Sequence, residues 1–260
     1  MHSSVTSTFT VVGAPNAGKT TVYNWITGSN YKSVNYPGST VEYASGETLA
    51  QYGDLLVVID TPGIYSLHAQ SPEERVTIST LYKKNRVPTI LAVVDATQLT
   101  RHLFLVKQLI ESGFQPVLAV TMNDILRKKN LKVNAEKLSR HLGVPVVLVD
   151  GRLGGGVKEA IDVIRTKLNV DSQKVHSIEP WSASQVERVY ADLDKVVSDV
   201  LENLNGSMNQ QKITKVSHQA DQLTLAIDRW LLHPVLGLVF FVLILGTLFS
   251  SIYWLAAPLM

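Results

Sequence analysis

The sequence contains no cysteine, which excludes disulfides, a thiolate metal site and a cysteine nucleophile, and suits a cytosolic domain. Charge of one sign is also scarce. Lys and Arg number 24 against 22 Asp and Glu, a formal net charge of +2, and no basic run interleaves with aromatics, so nothing favours a nucleic-acid partner. Met1 to Thr8 is short and polar and leads directly into Phe9-Thr10-Val11-Val12, with no basic and apolar regions of a secretory leader ahead of it. No signal peptide is expected. From Pro234 to Met260 charge disappears altogether. Val235 to Ala257 supplies about 23 mostly apolar residues, enough to cross ~30 Å of hydrocarbon, and predicts the start of a membrane-spanning segment rather than a buried core helix.

What is present is a 260-residue chain, 45% hydrophobic and 18% charged, long enough for one α/β domain and a smaller second unit. From Phe9 to about Leu168 short β-branched runs alternate with helical patterns. The predicted strands are Phe9 to Val12, Leu55 to Asp60, Thr89 to Asp95, Val117 to Met122 and Val144 to Val149, with Val41 to Gln51 as an antiparallel edge strand. Apolar strands separated by helices predict a doubly wound, mostly parallel sheet covered on both faces, with ligands beyond the strands' carboxyl ends. Farther on, Val186, Val189, Tyr190, Leu193, Val197, Val200, Leu201 and Leu204 recur at helical spacing. After the break Asn205-Gly206-Ser207, a second stripe follows at Ile213, Val216, Ala220, Leu223, Ile227 and Trp230, predicting a helical hairpin or small bundle. The expected division is an α/β domain over 1–170, a small all-α domain over 171–232 and a partial transmembrane segment over 233–260.

Gly13-Ala14-Pro15-Asn16-Ala17-Gly18-Lys19-Thr20 fits the pattern G-x-x-x-x-G-K-[ST] between a strand and a helix. Its backbone N–H groups would curl around a β-phosphate at the positive end of the following helix, Lys19 would neutralise the β- and γ-phosphates, and Thr20 would offer its hydroxyl to Mg²⁺. Asp60-Thr61-Pro62-Gly63 follows an apolar strand about forty residues after Lys19, the spacing of a P-loop protein's second motif. Asp60 would hold a magnesium-bound water and the Gly63 N–H would meet the γ-phosphate, although the same tetrapeptide also serves as an ordinary turn. Between them, in Asn35-Tyr36-Pro37-Gly38-Ser39-Thr40, Thr40 is the natural second hydroxyl for Mg²⁺.

Base identity is expected in Thr121-Met122-Asn123-Asp124. The Asp124 carboxylate can accept hydrogen bonds from N1–H and N2 of guanine, a pair that adenine lacks. A helix cap would use the same Asn123-Asp124 pair. The Gly-rich stretch Asp150-Gly151-Arg152-Leu153-Gly154-Gly155-Gly156 stands where a base-cradling loop belongs, and equally suits a flexible strand-to-helix turn.

Together these motifs resemble FeoB, the bacterial ferrous-iron transport protein B family. The likeness rests on Gly13 through Thr21, the Asn35 to Glu42 switch sequence, Asp60-Thr61-Pro62-Gly63-Ile64-Tyr65-Ser66-Leu67 with Ser71-Pro72-Glu73-Glu74, and His233-Pro234-Val235-Leu236-Gly237. It implies a GTPase domain that binds GTP or GDP with Mg²⁺, a helical domain of the nucleotide-dissociation-inhibitor kind, and a membrane domain that carries Fe²⁺. It places residues 1–232 on the cytoplasmic side of the bacterial inner membrane, with small accessory Feo proteins and further copies of the chain as partners. Ile64 stands where Ras-like proteins carry a water-orienting glutamine. The resemblance therefore implies that Asn16 helps bind a potassium ion, with the segment around Asn35 completing the site, and that hydrolysis is slow without that ion. A loop-stabilising amide is the other role open to Asn16.

Two departures stand out. Thr121 replaces the family's Asn, leaving a hydroxyl to tie the base loop to the P-loop. Gly151-Arg152 replaces a Ser-Ala or Ser-Thr pair, so a guanine O6 contact there would rest on backbone N–H alone. The implied function is GTP binding and hydrolysis that gates or drives Fe²⁺ uptake. The alternatives are a soluble Era-type ribosome- or tRNA-associated GTPase, for which no RNA-binding domain is visible, and a P-loop ATPase of unrelated task. The seven His residues are scattered, and no His/Asp/Glu cluster has metal-ligand spacing, so an iron-selective site is expected outside this sequence.

Overall fold

The structure, a computed structural model, describes residues 7–29, 31–35, 42–82, 89–168, 175–204 and 236–256. Its centre is a seven-stranded sheet built from β1 (Thr8–Gly13), β2 (Tyr31–Asn35), β3 (Glu42–Glu47), β4 (Val57–Asp60), β5 (Thr89–Asp95), β6 (Val117–Thr121) and β8 (Val146–Leu148), in the order β2-β3-β4-β1-β5-β6-β8. The pairs joining β4, β1, β5, β6 and β8 are parallel, whereas β3 pairs antiparallel with both β2 and β4.

Alternation along the strands splits the core into two layers. Phe9, Val11, Leu91, Val93, Val117 and Ala119 face α1 (Lys19–Thr27) and α6 (Val157–Leu168), where Val22, Ile26, Ala160, Ile161 and Ile164 meet them. Val12, Ile90, Ala92, Val94, Leu118 and Val120 face the opposite way, toward α2 (Pro72–Leu81), α3 (Leu99–Glu111), α4 (Asn123–Lys128) and α5 (Ala135–Leu142). Both faces are covered, which is why the central strands read as continuous apolar runs. Helix starts carry their expected signals. Ser71 caps α2 by accepting from the Glu74 N–H at 3.2 Å with Pro72 at the first position, and Asn134 caps α5 through the Lys137 N–H at 3.0 Å.

Several boundaries differ from the sequence reading. The strand predicted from Leu55 begins at Val57, since Leu55 is itself exposed. Val117 to Met122 stops at Thr121, because Met122 takes a left-handed φ of 57° to open α4. Val144 to Val149 shortens to Val146–Leu148. Val41 to Gln51 gives β3 and then a 3₁₀ turn at Ala50–Tyr52, and β3 is an interior strand: the edge is β2, which polar residues hid from a hydrophobic pattern.

The stripe from Val186 to Leu204 begins as α7 (Ala183–Val200), opened by a capping box between Ser182 and Gln185. The helix ends at Val200. Leu201 instead enters β9 (Leu201–Asn203), which pairs antiparallel with β7 (Leu131–Val133) in a two-stranded sheet, so the backbone bonds of a neighbouring strand override helical spacing. Leu193, Val197 and Val200 pack into the α3 and α5 side of the core. The Phe104 ring on α3 stacks on Tyr190 at 4.9 Å and meets Trp181 edge-on at 5.2 Å, and the Thr100 hydroxyl donates to Asp194 at 2.9 Å. The second helical stripe, Ile213 to Trp230, and the sequence His233-Pro234-Val235 lie outside the described residues.

The chain divides into two compact units, Met1–Ser217 and His218–Met260. The second contains α8 (Leu236–Ala256), a 21-residue helix without a charge. Among the described residues no helix is long and apolar enough to cross a membrane.

Phe104 is the side chain on which α7 and the α3 surface converge. Phe104→Ala is expected to destabilise the first unit by about 3–5 kcal/mol. Urea unfolding of the parent and variant measures it, and a loss below about 1 kcal/mol would mean that the stacked rings do not seat α7.

Candidate functional site

The parallel strands deliver their carboxyl ends to one edge of the sheet, and the sequence-predicted residues gather there. Gly13 ends β1, Asp60 ends β4, Thr121 ends β6, and Asp150 follows β8. Gly13 to Lys19 curls from β1 into α1. Ala14 and Ala17 are buried while Pro15, Asn16, Thr20 and Thr21 are exposed, so the loop shows one face to solvent and seats the other in the core. Asn16 holds a left-handed φ of 61°, a conformation that Asn tolerates better than most side chains.

Lys19 is buried and its ammonium donates to the Ala14 carbonyl at 3.0 Å. One of three donors is used there. Burial lowers the Lys19 pKa, and the nearby Asp60 charge opposes that shift. Burial likewise pushes Asp60 up, to about 6, against opposing pulls from Lys19, the Thr20 hydroxyl and the Thr61 backbone. One oxygen of Asp60, Oδ1, is buried without a hydrogen-bond partner among the described residues. A buried carboxylate oxygen left unpaired is costly, and a hard cation beside Thr20 would satisfy it. The residues therefore fit Mg²⁺.

The loop after β4 is stitched to the P-loop by its backbone. Thr61 donates through its hydroxyl to the Val11 carbonyl at 2.9 Å, and the Ile64 N–H donates to the Gly13 carbonyl at 3.1 Å. Gly63 passes so close to Pro15 that a Cβ would lie 2.7 Å from the Pro15 nitrogen, which leaves glycine as the residue that fits. Ile64 is completely buried. Farther along, the Leu67 N–H donates to Gln108 at 2.7 Å, His68 Nε2 lies 3.2 Å from the Ile178 carbonyl, and Arg101 sits 4.2 Å above the Tyr65 ring. Asn35 ends β2, and Thr40 lies outside the described residues.

At the base end the Thr121 hydroxyl lies 2.7 Å from the Ala17 carbonyl of the P-loop and 3.0 Å from the Val94 carbonyl, sharing one proton between them. Asn123 does not cap α4. Its amide donates to Val120 at 2.7 Å and to Val149 at 3.4 Å, joining β6 to the loop after β8. Asp124 stands in the first turn of α4, with Oδ2 3.6 Å from Arg152 Nε. Arg152 is 73% exposed, so this pair contributes at most about 1 kcal/mol. Gly151 and Arg152 belong to a loop braced by Asp150, whose Oδ1 accepts from the Arg152 N–H at 2.8 Å and the Leu153 N–H at 3.1 Å. The sequence reading named Asp150 within the Gly-rich stretch without giving its carboxylate a role, and it missed the Trp25 indole, whose Nε1–H donates to the Gly151 carbonyl at 2.9 Å. Local spacing carries no signal for a bond across that many residues. Among the described residues no group of three or more His, Asp or Glu side chains is arranged to hold a metal ion.

A family model described as ferrous iron transport protein B matches residues 7–164. The Fe(2+) transporter FeoB of Leptospira biflexa serovar Patoc is 26% identical, over 94% of this chain and 43% of that relative. The Fe(2+) transporter FeoB of Escherichia coli K12 is 34% identical over 66% of this chain and 23% of its own length. The chain thus spans less than half the length of these curated relatives. Among solved structures, a GDP-bound mutant of S. thermophilus NFeoB is similar with a TM-score of 0.60 and 30% identity, covering 85% of this chain and 94% of that one. The cytosolic domain of L. pneumophila FeoB gives 0.57 and 29%, covering 80% and 85%.

The raised Asp60 pKa has a pH consequence. Between 3.8 and about 6 the folded chain holds a proton that the unfolded chain has released, so stability falls as pH rises through that window. The ionised carboxyl then costs the metal-free fold on the order of 2–3 kcal/mol. In urea melts with a chelator from about pH 4 to pH 7, Asp60→Asn is expected to flatten this slope; equal slopes in the parent and variant would count against it.

Proposed function

Because the chain belongs to the ferrous iron transport protein B family, we propose that residues 1–170 are a guanine-nucleotide-binding GTPase whose nucleotide state gates or drives Fe²⁺ uptake at the bacterial inner membrane. The observation that carries this reading is the buried Lys19 beside Asp60 at the carboxyl edge of β1 and β4, with Asp124 at the base end of the same edge. Structures of relatives bound to GDP support it. Membership in this family also displaces the Era-type alternative.

In this proposal the backbone of Gly13 to Thr21 cradles the phosphates, Lys19 neutralises their charge, and the Gly63 N–H meets the γ-phosphate. Thr20, Thr40 and Asp60 would hold Mg²⁺, which supplies positive charge to the phosphates. Thr121 steadies the P-loop, Asp124 reads the guanine edge, and the Gly151-Arg152 backbone offers N–H groups toward O6. Ile64 is apolar and buried, and its N–H is spent on Gly13, so it cannot orient water. Asn16, exposed beside the phosphate cradle, would help bind K⁺, whose charge substitutes for an arginine finger. Hydrolysis is accordingly slow and potassium-stimulated.

The loop from Asp60 to Ser71 is the segment that loss of the γ-phosphate would release. Its contacts through His68 to Ile178 and through Tyr65 to Arg101 give it a route to α3 and to the segment leading into α7, the start of the proposed helical domain. Residues 233–260, with α8, begin the membrane part. The relatives' remaining length would carry the Fe²⁺ path, and one relative is a fusion of Fe(2+) transport protein A with FeoB, which supports accessory Feo proteins as partners.

Turnover by the purified chain is expected to favour GTP over ATP and to rise severalfold on replacing sodium with potassium. Equal rates in the two salts would remove the role given to Asn16. Asp124→Asn is expected to shift preference from guanosine to xanthosine nucleotides in a competition titration, and an unshifted preference would remove the role given to Asp124.

A further inference from the structure

We propose that Trp25 is a positioning residue for base recognition, an indole clamp that fixes the loop 150–156 onto the helix that begins with Lys19. The proposal rests on the guanine-nucleotide reading above. The loop is a closed unit: the Asp150 N–H donates to Gly155 at 2.9 Å, the Gly154 N–H returns to Asp150 at 2.8 Å, and the Asp150 carboxylate caps Arg152 and Leu153. Such a loop keeps its shape without help, so what it needs from the rest of the protein is a fixed place.

Trp25 supplies that place in two ways. Its Nε1–H donates to the Gly151 carbonyl at 2.9 Å. Its ring lies flush against Gly154, where a Cβ would come within 2.7 Å of the indole and where φ is +71°. The peptide between Gly151 and Arg152 is thereby held at both ends, its carbonyl by Trp25 and its N–H by Asp150. Thr21, one turn earlier on α1, lies 3.4 Å from where a Gly151 Cβ would stand. The Tyr52 hydroxyl donates to the Trp25 carbonyl at 3.2 Å and steadies the far end of the helix. One helix thus carries Lys19 for the phosphates at its start and the anchor of the base loop two turns on, setting the distance between the two ends of a nucleotide. A Trp that remains 36% exposed is poorly used as core filling, and an N–H that finds a backbone partner beyond its own helix is well used as a clamp.

The test uses the 260-residue chain with detergent present for α8, measuring release of a fluorescent GDP analogue together with KM and kcat for GTP. Trp25→Phe keeps a ring and loses the donor, and is expected to release GDP about threefold faster. Trp25→Ala loses both, with release and KM rising roughly tenfold while kcat at saturation holds. Gly154→Ala, which forces the loop away from the indole, should move release the same way. A merely structural role would lower the active fraction and leave the KM of the surviving protein unchanged. Unchanged release and KM in Trp25→Phe overturn the clamp, and that variant decides the matter if Trp25→Ala fails to fold. A parent that binds no GDP sinks the nucleotide reading and the clamp together, whereas a binding parent with indifferent variants sinks the clamp alone.

Discussion

The burial of two opposite charges, Lys19 and Asp60, at the carboxyl edge of the sheet is the constraint around which the rest of the structure is arranged. An ammonium and a carboxylate withdrawn from water destabilise a fold unless each is compensated. The compensation here is partial: Lys19 has the Ala14 carbonyl, Asp60 has the Thr20 and Thr61 groups, and one Asp60 oxygen has no partner among the described residues. Both pKa values are displaced toward neutrality by burial. A site of this kind is stabilised by a ligand carrying both signs of charge, as a metal-bound polyphosphate does. In the proposed function, the stability that these buried charges cost the fold would become selectivity for such a ligand.

Holding that pair in place falls to neutral hydrogen bonds from threonines. Thr61 reaches Val11, Thr77 reaches the Pro62 carbonyl at 2.9 Å, and Thr121 reaches Ala17. All three side chains are buried and all three hydroxyls donate to a backbone carbonyl. The Thr121 hydroxyl offers one proton, and its position between Ala17 and Val94 lets that proton serve the loop after β1 and the neighbouring strand.

The sequence made the central architecture legible where chemistry is local. The apolar runs of β1, β5 and β6 announced a buried parallel sheet, and Gly13 to Thr20 announced the P-loop, because both signals sit within a few consecutive residues. Polar β2 was invisible, since its place depends on antiparallel pairing with β3 and not on burial of an apolar face. The end of α7 was misread because Leu201 continues the apolar spacing, and the competing interaction is a strand more than sixty residues away. Trp25 was missed for the same reason. Its partner Gly151 becomes a neighbour only after β8 has taken its place in the sheet.

Distance along the chain also explains how the loops can respond. The polar tethers of the Asp60–Ser71 loop are neutral hydrogen bonds worth about 1 kcal/mol net each and a cation–π contact at Tyr65 of similar size, while Ile64 and Leu67 anchor the loop in the core. Charge-assisted bonds from a phosphate to Gly63 and its neighbours are roughly twice as strong as neutral ones, so a ligand of that kind would compete with the polar tethers and leave the apolar anchors in place. Because His68, Tyr65 and Leu67 contact Ile178, Arg101 and Gln108, a shift of that loop changes the contacts of α3 and of the segment leading into α7. In the proposed function, a nucleotide bridging the helix from Lys19 to Thr27 and the loop beside it would convert charge at one end of the sheet into a change of packing at its flank.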